Sequence, residues 1–307
     1  MKRFGLIAAA LLAFPAQAHA ANCTDQWTAI NDLLVRTGAL QTSLPGIVRE
    51  GADGSCRIDG IDIPVDRGIQ IGTDRLSWNG TDMERFVIDG LPPTALTLRV
   101  EGITINPELG DKTLSYLNRI QNRGRKIDLL FDAAWDEVDR RLSLNALNLT
   151  FPEDDFVRFS AEIEGVDLSN RNAIQMSAGS MAITRSVTDI RSTRFFQDYL
   201  LQPLGFAVLY QSDDPEARVA ELKEIARGYL ADVPRNILPA SSQEALLGLL
   251  DQMPDPSGRL RIEKTADPGV GPARFATLAM RTGGITDPEQ IWQALSGLVL
   301  NITFVPE

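Results

Sequence analysis

Histidine is almost missing from this chain. The one imidazole, His19, falls in a segment that reads as a cleaved leader, so the mature protein is expected to have none. That excludes a Ser-His-Asp triad, a Cys-His pair and any histidine metal ligand. Cysteine is scarce as well, at two residues, Cys23 and Cys56, set 33 positions apart. That spacing argues against a C-x-x-C redox pair and reads as one structural disulfide in an oxidising compartment. Closing such a loop is worth roughly 3–4 kcal/mol in the chain-entropy view. Lysine supplies five of the 30 basic residues, at positions 2, 112, 126, 223 and 264. An arginine excess of this kind accompanies GC-rich genomes and points to a bacterial periplasm.

What is present describes a folded protein. The 307 residues are 44% hydrophobic and 23% charged, with a mean hydropathy of −0.08, which excludes collagen, a disordered chain and a polytopic membrane protein. Residues 1–20 carry Lys2 and Arg3, an apolar stretch from Gly5 to Phe14 and an Ala18-His19-Ala20 cleavage pattern. We expect a signal peptide cut after Ala20, export to the periplasm, and no membrane span in the mature chain. Losing Lys2 and Arg3 takes the formal charge from −11 to −13. Nucleic acid and anionic headgroup surfaces, which need clustered positive charge, are disfavoured as partners.

The patterning divides the mature chain at about residue 186. In 21–186, Thr24 to Gln41 has helical spacing through Trp27, Ile30 and Leu34. From Gly46 to Ile105 the pattern is strand-like. Asp111 caps a short helix to Asn122, and Ile127 to Thr184 alternates with period two. Ile127, Leu129, Phe131, Ala133 and Trp135 share one side, while Asp128, Asp132 and Asp136 share the other. In 187–307, helices are expected over 188–201, 214–231, 241–253 and 286–296, with a Ser241…Glu244 capping box. Strands are expected over 259–264, 275–280 and 298–305, and the last of these returns to the sheet. The fold expected is α+β: a curved, bulged antiparallel sheet covered by a helical C-terminal half.

The β region contains a degenerate repeat. Arg75-Leu76-Ser77 recurs as Arg141-Leu142-Ser143, and Val100-Glu101-Gly102-Ile103 as Ile163-Glu164-Gly165-Val166. The apolar alternation changes phase at both Glu-Gly sites, so both read as β-bulges with glycine at positive φ.

Signals for catalysis are weak. Asp132, Asp136, Glu137 and Asp139 crowd one hairpin, and Glu153, Asp154 and Asp155 the next. Paired carboxylates could cleave a glycan, with Asp132 or Asp136 at the centre. Charge at hairpin tips also serves solvation, which is the simpler reading. No Gly-x-Ser-x-Gly elbow, Ser-x-x-Lys or EF-hand spacing occurs, and Gly269-Val270-Gly271-Pro272 reads as a turn. No cofactor and no metal is expected. Phe195, Phe196, Tyr199, Phe206 and Tyr210 form an aromatic-rich stretch suited to plugging a core or to facing a lipid.

The strand Ile127 to Trp135, the charged turn Asp136 to Arg140, the strand Arg141 to Leu149 and the segment Phe159 to Val166 together resemble the hairpin repeats of secreted alphaproteobacterial proteins. More distantly they resemble the AsmA-like β-groove envelope proteins. AsmA-like proteins are longer and keep an N-terminal membrane helix. The resemblance covers about a third of the chain, implies an apolar groove associated with lipid movement, and carries over no functional residue. The expectation is a non-enzymatic protein that binds a lipid-like ligand or an envelope partner protein through Leu129, Phe131, Trp135, Phe196 and Phe206. A glycan hydrolase and a structural scaffold are the alternatives.

Overall fold

A computed structural model describes residues 21–307 except 39, 66–68, 108–109, 123, 211 and 283–287. The expected leader, 1–20, and the helix start at Thr286-Asp287 lie outside the described residues. Ten strands form one antiparallel sheet in which spatial order follows sequence order: β1 (Arg49–Glu50), β2 (Cys56–Val65), β3 (Ile69–Thr81), β4 (Ala95–Pro107), β5 (Ile127–Asp136), β6 (Arg141–Thr150), β7 (Phe156–Glu164), β8 (Ala182–Ser192), β9 (Gly258–Val270) and β10 (Leu298–Pro306). The sheet is open, with β1 and β10 at its edges. With the helices described below, this is an α+β fold.

At the first edge, Asn22 caps helix α1 (Cys23–Arg36), its side-chain oxygen accepting from the Thr24 and Asp25 amides. Cys23 is disulfide-bonded to Cys56 in β2. The helix ends at Arg36, five residues short of the sequence expectation. Leu40 and Leu44 leave helical spacing and bury themselves from the following loop, where Asn31 bonds the Leu44 backbone in both directions. Trp27 of α1 stacks on Trp78 of β3 at 5.9 Å, and the Trp78 indole donates to Gln26 Oε1 at 2.9 Å. Ile58, Ile61 and Met83 complete this core.

The connections hold several elements that the sequence pattern did not indicate. Helix α2 (Met83–Asp89) interrupts the strand-like stretch, and α4 (Arg171–Ser180) fills the β7–β8 connection. Helix α3 (Lys112–Asn122) agrees with expectation, Asp111 Oδ1 accepting from the Thr113 and Leu114 amides. The helix expected from Thr188 is instead the second half of β8. A π-helical turn (Phe196–Leu200) and α5 (Leu201–Leu209) begin only after it. Asp155, buried beside Phe156, fixes that departure by accepting from the Thr193, Arg194 and Phe195 amides at 2.6–2.8 Å.

Helix α6 (Pro215–Asp232) has Pro215 in its first turn and Asp214 as its cap. Helix α7 (Ala240–Gln252) starts without the expected capping box, because Pro239 takes the cap position. Ser242 serves the sheet instead. Its hydroxyl accepts from the Ile302 amide, and Ile237 O accepts from the Leu300 amide, so two of β10's outward donors are satisfied. The strand expected over 275–280 is helix α8 (Pro272–Thr282), opened by the Pro272 that follows Gly269-Val270-Gly271. Helix α9 (Pro288–Ala294) precedes β10, which returns to the sheet as expected. A second, smaller core of Ile237, Ala266 and Leu298 lies at this edge.

Of the two expected bulges, one is a bulge. At Gly102, φ is +67°, the β4–β5 register shifts between Val100 and Ile103, and Asp128 Oδ1 accepts from the Gly102 amide at 2.8 Å. Gly165 also has positive φ, +74°, but it ends β7 and turns the chain toward α4. The repeat therefore matches in backbone conformation and not in strand context.

Candidate functional site: the apolar face of the sheet

Cross-strand partners share a face, so the register identifies rows that run across the sheet. One row passes through Ile58, Leu76, Val100, Leu129, Leu149, Val157, Ile190, Leu260 and Phe304 without a polar member. The row beside it runs from Trp78 through Leu98, Phe131, Leu147 and Phe159 to Thr188, Ile262 and Ile302. At about 4.8 Å per strand, nine strands extend such a row over roughly 38 Å. The opposite face carries Arg99, Arg158, Asp189 and Arg261 at the intervening positions.

Burial along these rows is uneven. Ile58 and Trp78 are 1% and 2% exposed, whereas from β4 to β9 every member of both rows is only partly buried. Both cores lie toward the sheet's edges: Leu98 of β4 packs against the first and Ala266 of β9 belongs to the second, while the row members on β5 to β8 join neither. Leu129 and Phe131 stand on this middle stretch, as expected. Trp135 is on the same face but at its margin, where it is buried, donates from its indole to Val166 O at 2.9 Å and lies under the Arg85 guanidinium. It closes that margin. Phe196 and Phe206 are not on the sheet: Phe196 opens the π-helical turn, and Phe206 is 61% exposed on α5. Their neighbours Phe195 and Tyr199 cluster with Phe151, at 4.6 and 4.9 Å.

Sequence reasoning missed the bulge in β6. Asn145 is the extra residue against β5, and Asn145 and Ala146 together oppose Ser160 of β7. The bulge keeps Leu142 and Leu144 on the same face as Leu147 and Leu149 although their parity differs. The spacing Leu-x-Leu-x-x-Leu-x-Leu was the signal for it.

The carboxylates singled out as hydrolytic candidates have structural partners. Asp132 accepts from Thr97 Oγ1 and Asn145 Nδ2, both at 2.7 Å, which ties the β6 bulge to β4. Those hydrogen bonds, Thr97's first, hold its carboxyl below the ordinary aspartate range. Asp136 Oδ1 caps the hairpin turn by accepting from the Val138 and Asp139 amides. Among the described residues, no group of three or more Cys, Asp or Glu side chains is placed to hold a metal ion.

No model of a known protein family matches this chain, and no curated protein matches it either. No helix among the described residues is long and apolar enough to cross a membrane.

Proposed function

We propose that this is a non-enzymatic periplasmic protein that holds a lipid-like apolar ligand on the middle of its sheet. The observation that carries the reading is the pair of rows, one apolar across nine strands and the other interrupted only by Thr188 across eight, both only partly buried between β4 and β9. A filled core would bury its leucines and phenylalanines as fully as the first edge buries Ile58 and Trp78. A contiguous apolar surface of this extent marks a binding site.

The Cys23–Cys56 disulfide supports an oxidising compartment, and with it the leader peptide. The C-terminal helices are then a cover for one end of the face: α7 runs beside β10, while the middle strands keep an open apolar surface. The resemblance of the β5–β7 segment to β-groove envelope proteins implies the same reading. Native mass spectrometry of the protein purified from its host tests the reading. Co-purifying lipid is the expected result. An empty spectrum together with cleavage of a glycan panel would replace it with the hydrolase, for which Asp132 and Asp136 offer no acid–base pair that their hydrogen bonds leave unexplained.

A further inference from the structure

The row on the far side of Phe131 differs from the two described above in one residue. It runs through Leu96, Ala133, Leu144, Ala161 and Ser186 to Lys264 and Leu300. Lys264 shares its face with Leu260 and Ile262 of the same strand, and it is the one charged side chain in these three rows. Its cross-strand partners, Ser186 and Leu300, are both uncharged. No carboxylate reaches it among the described residues, although the chain carries 41 acidic residues against 30 basic ones. Its strand neighbour Glu263 faces the other way and is taken by Arg261.

Burial alone pushes the Lys264 ammonium below the ordinary lysine value, and no counter-charge offsets it. An ammonium half-removed from water without a partner costs stability. Its place therefore suits a ligand that brings the missing negative charge.

We propose that the ligand of the apolar face is an anionic amphiphile, a carboxylate or phosphate headgroup on an acyl chain, and that Lys264 receives the headgroup. The acyl chain lies on the Phe131 row, about 7 Å along the strands from the row of Lys264. This assignment rests on the reading of the apolar face as a binding site and adds the headgroup's charge to it. A charge-assisted hydrogen bond supplies the selectivity, and the alkyl stem of the lysine continues the apolar surface.

The test uses the mature full-length chain at neutral pH and measures binding of oleate, oleyl alcohol and inorganic phosphate to the wild type and to Lys264→Met. Wild type is expected to bind oleate about tenfold or more tighter than the alcohol of equal chain length, the effect of one charge-assisted hydrogen bond. Lys264→Met is expected to bring oleate down to the alcohol's affinity and to leave the alcohol unchanged. The urea midpoint of this variant should stay level or rise, since an unpaired ammonium leaves an apolar surface. Equal binding of oleate and alcohol by wild type, or an oleate affinity untouched by the substitution, overturns the assignment while the apolar site stands. Phosphate bound as tightly as oleate shows an anion site without a tail and also overturns it. Failure of both oleate and oleyl alcohol to bind overturns the apolar site and the assignment together.

Discussion

Strands β2–β3 and strands β5–β8 follow the same alternation of apolar and polar residues, but only the first pair contributes its apolar rows to a fully buried core. At the first edge, α1 is fastened to β2 by the disulfide and presents Trp27 to Trp78. In the middle, Leu129, Phe131, Leu149 and Phe159 have the same orientation and no core to join. Alternation therefore specifies which side chains share a face and says nothing about whether that face is filled. The covering element decides this, and it comes from elsewhere in the chain.

Truncation should separate the two regions most sharply. Trp78→Ala removes a fully buried ring, its stacking on Trp27 and its bond to Gln26. The expected loss is about 3–5 kcal/mol. Phe159→Ala, on the same row of the sheet, should cost about 1–2 kcal/mol, because its partly exposed ring leaves little cavity behind. Urea midpoints for the two variants measure this. Equal losses would mean that the middle of the sheet is a packed core.

Glycine substitutions make the next comparison. A Cβ at Gly102 would lie 2.1 Å from Asp74 Oδ2, and one at Gly165 would lie 2.9 Å from Ser180 O, a backbone atom. Both residues have positive φ. Gly102→Val and Gly165→Val should each lower the urea midpoint, the loss of stability from the backbone conformation alone being about 1–2 kcal/mol. Gly165→Val carries an added penalty because its neighbour is main chain, whereas the Asp74 side chain can swing away. A raised midpoint at Gly102, where valine is otherwise the better strand former, would contradict the bulge.

The smallest expected effect separates the two faces of the middle strands. On the polar face, Asp189 is 6% exposed and accepts from Arg259 at 2.9 and 2.6 Å. The Arg259 hydrogen bond holds its carboxyl below the ordinary aspartate value. A depressed folded-state value means that the stabilisation is complete above about pH 4, the unfolded value, and is lost as pH falls through the lower folded one. Asp189→Asn should therefore flatten the acid limb of the stability–pH curve and leave Phe159→Ala additive with it at neutral pH. An unchanged acid slope would remove Asp189 from that limb.

Much of this was legible in the sequence. The Cys23–Cys56 pairing, the β5–β6 hairpin, the phase change at Gly102 and the return of the last strand all follow from local spacing. Helix α4 was not, since Arg171–Ser180 carries little apolar periodicity. The segment Phe275–Met280 is a short apolar run, and such runs suit a strand or a helix equally. There Pro272 at the helix start was the available clue. Leu129 and Phe131 could be assigned to a face by parity. Lys264 could not, because its place depends on the register that joins β9 to β8 across a long excursion of helices.

That same join governs how the chain assembles. Seven of the nine strand pairings link consecutive segments through a short connection or one short helix, so each can form locally with little loss of loop entropy, and β9 and β10 are joined across the two helices α8 and α9. The pairing of β8 with β9 must wait for the whole segment from Thr193 to Ser257 to be gathered in. Folding should accordingly run as a zipper up to β8. The β9–β10 pair, with Lys264 on it, should dock as a separate late event, and the apolar face is completed only then.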